Sequence, residues 1–449
     1  MFDIPVATVL ILSLLIMVAI GVHIAIALGM TSALGVFLVT GGSFDVVLSM
    51  LASTAYESLR SYEFAVIPLF MLMGEFIGKS GAVKDVYQAI QRGLRRLPGR
   101  LAVATLLGNA IFSFVTGVSI ASAAAFSRIA YPEMRRFGYH DGFALGAVAG
   151  SSCLGMLIPP SVLMIVWGLL TERSIGQIFL AGVLPGLLLL TLFIAYVLAS
   201  AVLRPDVVGG GREKSAALAD EEDSEEASSG LQVLGSALGI ALVILAVLGG
   251  IWFGVFTPTE GAGAGAFIGL VMALAKGMRY RGVIDSILSV GRTSAPILLL
   301  LVSASLYSRT LAMTGVSSAI QGVFLGAELA PWILIVFMVG IWFILGMVID
   351  SISIMLLTVA IFEPIAVSLG FDPIAFAIVG IIAIEAGLLT PPFGLLVYTV
   401  KAAIQDEDDS ISIMTIFKSS TPYWFIMLAG MIAIISYPQI ATYLPSLVF

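Results

Sequence analysis

Two stretches of this chain set oxygen-bearing side chains into apolar surroundings. Ser119, Ser122, Ser151, Ser152 and Ser161 surround GMLIPPS at Gly155 to Ser161, and Asp350, Ser351, Ser353, Glu385 and Thr390 surround GLLTPPF at Gly387 to Phe393. Hard cations such as Na+ take oxygen ligands, whereas thiol and imidazole are confined to Cys153, His23 and His140. The prolines supply more oxygen. Proline lacks an amide donor and clashes with the preceding turn, so each Gly-x-x-x-Pro-Pro must break its helix. A helix unwound at membrane depth leaves carbonyls and amides without partners, at several kcal/mol each in lipid. A cation can take the carbonyls and an anionic substrate the amides of a half-helix N-terminus, with helix dipoles favouring both. Two Na+ sites are therefore expected, one among the first set of residues and one among the second. For each serine, a bond to a helix carbonyl is the structural alternative.

The two stretches belong to a longer repetition. An offset of 232, the difference between Pro391 and Pro159, carries Ser119, Pro132, Gly138, Gly155, Pro159 and Pro160 onto Ser351, Pro364, Gly370, Gly387, Pro391 and Pro392. Paired broken hydrophobic segments in corresponding halves are the sequence pointer to a secondary transporter's binding site. Composition agrees: 59% of residues are hydrophobic, 11% are charged and the mean hydropathy is +1.10, against about 25% charged in soluble domains. The chain reads as an all-α polytopic membrane protein with the lipid bilayer as its surroundings. The charge of −7 is concentrated at Asp220 to Glu226 and Asp406 to Asp409, and no nucleic-acid partner is expected. A single cysteine excludes an internal disulfide. The N-terminal run lacks a basic flank and reads as a first span, not a cleaved signal peptide.

Charge flanks set the two halves in opposite orientation. Ile4 to Val39 is too long for one crossing and should divide near Gly21 to His23, and Leu231 to Ala275 should divide near Phe256 to Thr259. Spans at about Phe64 to Gly78 and Ala295 to Met313 correspond, with Pro68 and Pro296 early in each. The segment before the first is acidic on balance, while that before the second carries Lys276, Arg279, Arg281 and Arg292. After the spans the signs exchange, with Lys79, Lys84, Arg92, Arg95, Arg96 and Arg100 in the first half only. By the positive-inside rule the repeats, 1–203 and 231–449, have inverted topology. An acidic cytoplasmic linker is expected over 204–230.

Leu101 to Tyr131 has cations on both flanks, so both ends should be cytoplasmic. A re-entrant helical hairpin with its tip near Thr116 to Ser119 satisfies this, as would two short complete spans. Its counterpart, Pro331 to Phe362 with a tip near Gly346 to Ser351, is flanked by Glu328 and Glu363 and should open outward. Broken spans at about 141–170 and 373–400 and final helices at about 178–203 and 417–437 complete five crossings per half. Asp350 and Glu385 are costly at depth and are candidate cation ligands or protonatable groups. Glu75 is expected to pair with Lys79, Glu260 to cap a half-helix, and His23 to be a packed polar residue. VYQAIQRGLRRLPGR reads as an amphipathic helix on the inner leaflet.

At IPLFMLMGEFIGKSG, TGVSIASAAAFSRIAYPEMRRFGY, GSSCLGMLIPPS, TERSIGQIFLAGVLPG, FGVFTPTEGA and EAGLLTPPFG, the chain resembles the large membrane subunit, DctM type, of tripartite ATP-independent periplasmic (TRAP) transporters. The resemblance implies an elevator-type, Na+-coupled importer of organic acids in the ion transporter superfamily, resident in the bacterial inner membrane. It implies two partners, a small four-helix membrane subunit (DctQ type) and a periplasmic substrate-binding protein (DctP type). Carried onto this sequence, Na+ would be held by Gly117, Ser119, Ser122, Gly155 and Pro159, and by Asp350, Ser351, Glu385, Gly387 and Thr390. The substrate would meet Ser119, Pro160, Ser161, Thr390 and Pro392. Hairpins and broken spans would move against a scaffold of opening span pairs and terminal helices. His23, where such proteins often have proline, and the long acidic linker depart from the pattern. A stand-alone Na+-coupled carboxylate carrier is the alternative transporter reading. A passive channel would differ in never concentrating substrate. An intramembrane hydrolase is disfavoured because the sequence has no HExxH motif, Ser/His pair or close pair of intramembrane aspartates.

Overall fold

The computed structural model describes residues 3–209, 230–326, 329–405 and 410–449, and these are helical, with one isolated bridge between Tyr139 and Val208. The expected features at Asp220 to Glu226, Glu328 and Asp406 to Asp409 lie outside these residues. The first half runs through α1 (Asp3–Ala19), α2 (Ile24–Val39), α3 (Phe44–Arg60), α4 (Val66–Lys79), α5 (Ala82–Gly93), α6 (Arg100–Thr116), α7 (Ser119–Ile129), α8 (Tyr131–Arg136), α9 (Asp141–Ser152), α10 (Val162–Thr171) and α11 (Ile175–Leu203). The second comprises α12 (Gly230–Ile244), a π-helical turn to Gly249 and a short helix ending at Trp252. It continues through α13 (Pro258–Ala275), α14 (Tyr280–Met313), α15 (Val316–Gly326), α16 (Pro331–Gly346), α17 (Ser351–Ser368), α18 (Pro373–Gly387), α19 (Leu395–Ala403), α20 (Ile413–Ser436) and α21 (Gln439–Val448). Among the described residues, six helices are long and apolar enough to cross a membrane, or seven if the bent pair at α3 and α4 is one span.

Local chemistry places the ends. Thr257 and Glu260 form a capping box at α13, with Pro258 at its first turn. Asp372 accepts from the amides of Ile374 and Ala375 at 2.9 Å just before Pro373 starts α18. The long opening runs divide near the expected points. His23 is an exposed cap, accepting from Ala25 N at 3.3 Å, and not a packed residue. Glu75 pairs with Lys79 at 2.8 Å.

The two segments before the corresponding spans are helices. The stretch before α4 is α3, which buries Val47, Thr54 and Ser58 and bends 57° into α4 at the break around Ser61. Tyr280 onward continues through Arg292 and Pro296 into one 34-residue helix, α14. Arg and Lys on a helix can reach water along their stems, so charge there does not end the helix. The chain also stays ordered past 204: His140 N donates to Val207 O at 3.0 Å beside the Tyr139 and Val208 bridge.

Packing divides the helices into two groups. α13 lies on α4, α14 on α2, α3 and α4, and α12 on α5. The hairpins α6/α7 and α16/α17 pack on the broken spans, and the terminal helices join them: α20 lies on α9 and α18, and α11 on α6, α10, α18 and α20. The terminal helices therefore associate with the hairpin group and not, as expected, with the opening spans. The reason is small side chains: a Cβ on Gly146 would stand 2.4 Å from Ser419 O, and one on Gly150 2.1 Å from the Tyr423 ring, so α9 and α20 meet at close range. The outer half-helices are exchanged, α10 lying on α17 of the second hairpin and α19 on α7 of the first. Trp167, Trp342 and Phe376 fill this junction with ring centroids 5.2 to 6.0 Å apart, over Gly380.

Candidate functional site: two crossed helix breaks

At the first break α6 stops at Thr116, Gly117 turns with φ +61°, and α7 begins at Ser119. Beside it α9 ends, a 3-10 turn covers Cys153 to Met156, and residues 157–161, with a cis Pro159–Pro160 bond, lead into α10. Val162 N donates to Gly117 O at 3.1 Å and so joins the two breaks. The fit leaves no room for side chains: a Cβ on Gly117 would sit 2.3 Å from Pro160 O, and one on Gly155 2.9 Å from Ser119 N. Ser161 Oγ donates to Met156 O at 2.5 Å and accepts from Met164 N at 3.4 Å, capping α10. Each half-helix is short: α10 has 10 residues, about 15 Å, half of a bilayer core.

The second break repeats this arrangement with different wear. Phe393 N donates to Met347 O at 3.1 Å, Pro391–Pro392 is cis, and Thr390 Oγ1 donates to Gly387 O at 2.6 Å. Gly387 packs on the end of α16, where its Cβ would lie 2.7 Å from Gly346 Cα. Asp350 caps α17, its Oδ1 accepting from Ser353 N at 3.0 Å and its Oδ2 from Ser353 Oγ at 2.5 Å. Pro159 and Pro160 are buried, whereas Pro391, Pro392 and Phe393 are exposed. A cavity of about 380 Å³ opens there, lined among others by Met347, Asp350, Phe393, Leu395 and Tyr398.

Between the breaks stands Glu385, 1% exposed. Ser119 Oγ donates to its Oε2 at 2.6 Å, and Cys153 Sγ donates to its backbone carbonyl at 3.7 Å. Its other carboxylate oxygen, Oε1, is buried with no bonded partner. None of the ion pairs among the described residues reaches it. Glu385 thus bonds the first hairpin, while Asp350 caps the second.

The expected ligands separate by how their oxygens are used. Ser152 bonds Ala149 O at 2.7 Å, the structural alternative for a membrane serine. Ser151 donates to Ala147 O and accepts from Asn109 Nδ2, both at 2.6 Å. Ser122 Oγ and Asn109 Oδ1 are buried without partners. Sequence reasoning missed Asn109 although it is the single asparagine in the chain and falls within an apolar run, which was the available signal. Three orphan oxygens of hard-ligand character therefore surround the breaks, on Asn109, Ser122 and Glu385, and such a set fits a Na+ ion better than a softer metal.

Residues 11–440 match the family described as the tripartite ATP-independent periplasmic transporter, DctM component. The chain is 30% identical to a C4-dicarboxylate TRAP transporter large permease protein of Pseudomonas aeruginosa, over 94% of each sequence. It is likewise 30% identical to an ectoine/5-hydroxyectoine TRAP transporter large permease protein of Ruegeria pomeroyi, over 87% of this chain and 88% of that one. In fold it is similar to the YdaH transporter of Alcanivorax borkumensis, with a TM-score of 0.57 at 14% identity over 89% and 90% of the two chains.

Proposed function

The chain belongs to the DctM-component family of tripartite ATP-independent periplasmic transporters, and from this we propose that it imports a small organic acid across the bacterial inner membrane, driven by Na+. The observation that carries the proposal is the pair of unpartnered buried oxygens, Asn109 Oδ1 and Ser122 Oγ, at the first of two crossed helix breaks, with Glu385 Oε1 also unpartnered between the breaks. One Na+ is held at the first crossing by Gly117, Ser119, Ser122 and Asn109 with the Gly155 to Pro159 segment. A second is held where the Asp350–Ser351 tip meets Gly387 to Thr390. The substrate carboxylate lies between them against the N-termini of α7 and α10, beside buried Thr390 and the exposed Pro391–Pro392 edge, where helix dipoles favour an anion. The relatives named for C4-dicarboxylate and for ectoine support a carboxylate as the recognised group.

The two packing groups suggest how such a cargo moves. The hairpins, broken spans and terminal helices form the carrier, held together by exchanged half-helices, and α1 to α4 with α12 to α14 form the scaffold. Rigid displacement of one against the other transfers the site between membrane faces, and Na+ favours the shape that accepts substrate. The tripartite family description supports two further components, a small four-helix membrane subunit and a periplasmic binding protein that delivers substrate. The test is uptake by proteoliposomes containing both membrane subunits, supplied with the cognate binding protein. Concentrative uptake that requires an inward Na+ gradient is expected; uptake that never exceeds equilibrium, or that proceeds equally with K+, overturns the proposal.

A further inference from the structure

Helix α5 belongs to neither packing group, yet it touches both. One face is buried against the carrier: the Tyr87 hydroxyl lies 3.4 Å from Thr105 Oγ1 on α6, and the Tyr87 ring meets Phe126 of α7 edge-on with centroids 5.8 Å apart. Val83 and Val86 are buried on the same face. Asp85, on the opposite face in the first turn, reaches the scaffold. Lys276, the C-cap of α13, donates to Asp85 Oδ2 and, at 2.7 Å, to Ser236 Oγ of α12, while Ser236 Oγ donates to Asp85 Oδ2 at 2.7 Å. An acid at a helix N-terminus and a cation at a helix C-terminus each complement the dipole, so the two helix ends are matched as well as the two charges.

Displacement of the carrier cannot preserve both contacts. Parting the carrier-facing side would expose buried apolar surface, and only residues 94–99 separate α5 from α6. The scaffold-facing bonds are partly solvated already, the Lys276 and Asp85 side chains being 23% and 18% exposed, so water can replace them. Gly81 supplies the joint, turning at φ +79° between α4 and α5 with nothing within 4 Å of a Cβ. We infer that α5 travels with the carrier about Gly81, and that Asp85, Lys276 and Ser236 form a releasable latch that holds carrier to scaffold in the present arrangement and opens on each displacement. The second half has no equivalent. At the offset of 232 Asp85 falls on Ser317, and Val316 to Gly326 of α15 carries no charge. A single latch, made in one arrangement and absent from the other, biases the carrier toward one of its two positions. This inference rests on the reading of rigid displacement above and names the contact that governs it.

The latch is tested by closing it covalently. Asp85→Cys with Ser236→Cys places two thiols where Oδ2 and Oγ lie 2.7 Å apart, and Cys153 is buried away from the reagent. The doubly substituted chain is reconstituted with the small subunit, supplied with the cognate binding protein, and bridged by a short bis-methanethiosulfonate. Bridging is expected to lower uptake about tenfold or more, with recovery on reduction, while neither single substitution responds to the reagent. Uptake by the bridged chain at its unbridged rate would show α5 to be a fixed part of the scaffold and overturn the latch, leaving Na+-driven uptake intact. Charge variants put the same question without a bridge. Asp85→Asn and Lys276→Met should each change the maximal uptake rate about threefold in the same direction, and the two together should do no more than either alone. Asp85→Lys with Lys276→Asp should return toward wild type. Wild-type rates throughout, or effects that multiply, would overturn the latch. Absence of concentrative uptake by wild type would instead remove the displacement reading beneath it.

Discussion

Cys153 and Glu385, separated by 232 residues, are in contact: the thiol sulfur lies 3.7 Å from the Glu385 carbonyl oxygen. The same offset relates the two pairs of cis prolines. The contact also shows why the halves cannot be identical there. One member is small and weakly polar, the other a carboxylate that reaches across to Ser119.

Ser119 Oγ donates to Glu385 Oε2 at 2.6 Å. Ser119→Ala leaves a buried acceptor unsatisfied, at about 1 to 3 kcal/mol. The Na+ concentration giving half-maximal uptake in proteoliposomes should rise roughly tenfold, at about 1.4 kcal/mol per decade. Ser119→Thr, which restores the hydroxyl, should lie closer to wild type. An unchanged Na+ dependence in Ser119→Ala would remove this side chain from the ion site.

Gly117 tests whether the crossing must be side-chain free. In Gly117→Ala the new methyl would meet Pro160 O at 2.3 Å from a φ of +61°, and the opposing atom is backbone that cannot swing away. Overpacking of this kind costs about 1 to 3 kcal/mol. Thermal unfolding followed by tryptophan fluorescence should move to lower temperature and uptake should fall. Gly263→Ala on α13, with nothing within 4 Å, should leave both unchanged or raise stability slightly.

Gly74 lies on α4 of the scaffold group, where a Cβ would stand 2.8 Å from Val115 O and 3.0 Å from Thr116 Cα at the end of α6. Rigid displacement of the carrier has to pass this contact. Gly74→Ala is therefore expected to slow uptake several-fold while leaving ²²Na+ binding to the detergent-solubilised complex unaltered. Equal loss of both would point to a purely local packing defect.

Two inter-half ion pairs should differ in worth. Arg173 donates through Nε and Nη2 to Glu363 Oε1 at 2.8 and 2.5 Å, and the Glu363 side chain is only 10% exposed, so α10 is tied to the second hairpin. Glu363→Gln should lower stability by roughly 2 kcal/mol, somewhat below the full cost of breaking a buried pair. Arg309 and Glu57, at 2.8 Å, are 48% and 60% exposed, and Glu57→Gln should cost less than about 1 kcal/mol. Parallel thermal scans of the two variants check the order.

The sequence by itself determined the punctuation of the fold. Proline and glycine act through their own backbone, so the breaks at Gly117, Gly155 to Ser161, Gly346 to Asp350 and Gly387 to Gly394, the divided opening runs and the Thr257–Glu260 cap were legible without any neighbour. Local charge misled at Arg279 to Arg292, where a helix continues because its cations can reach water. Only the tertiary structure decided which oxygens are left without partners. Ser161, Ser152 and Thr390 spend their hydroxyls on nearby backbone carbonyls, whereas Ser122 Oγ and Asn109 Oδ1 are left without partners. It also joined the terminal helices to the hairpin group through Gly146 and Gly150, and it brought Glu385 to Ser119 across 266 residues of chain. Those outcomes depend on which surfaces meet, and a side chain's partners across such separations leave no mark in the spacing of the residues.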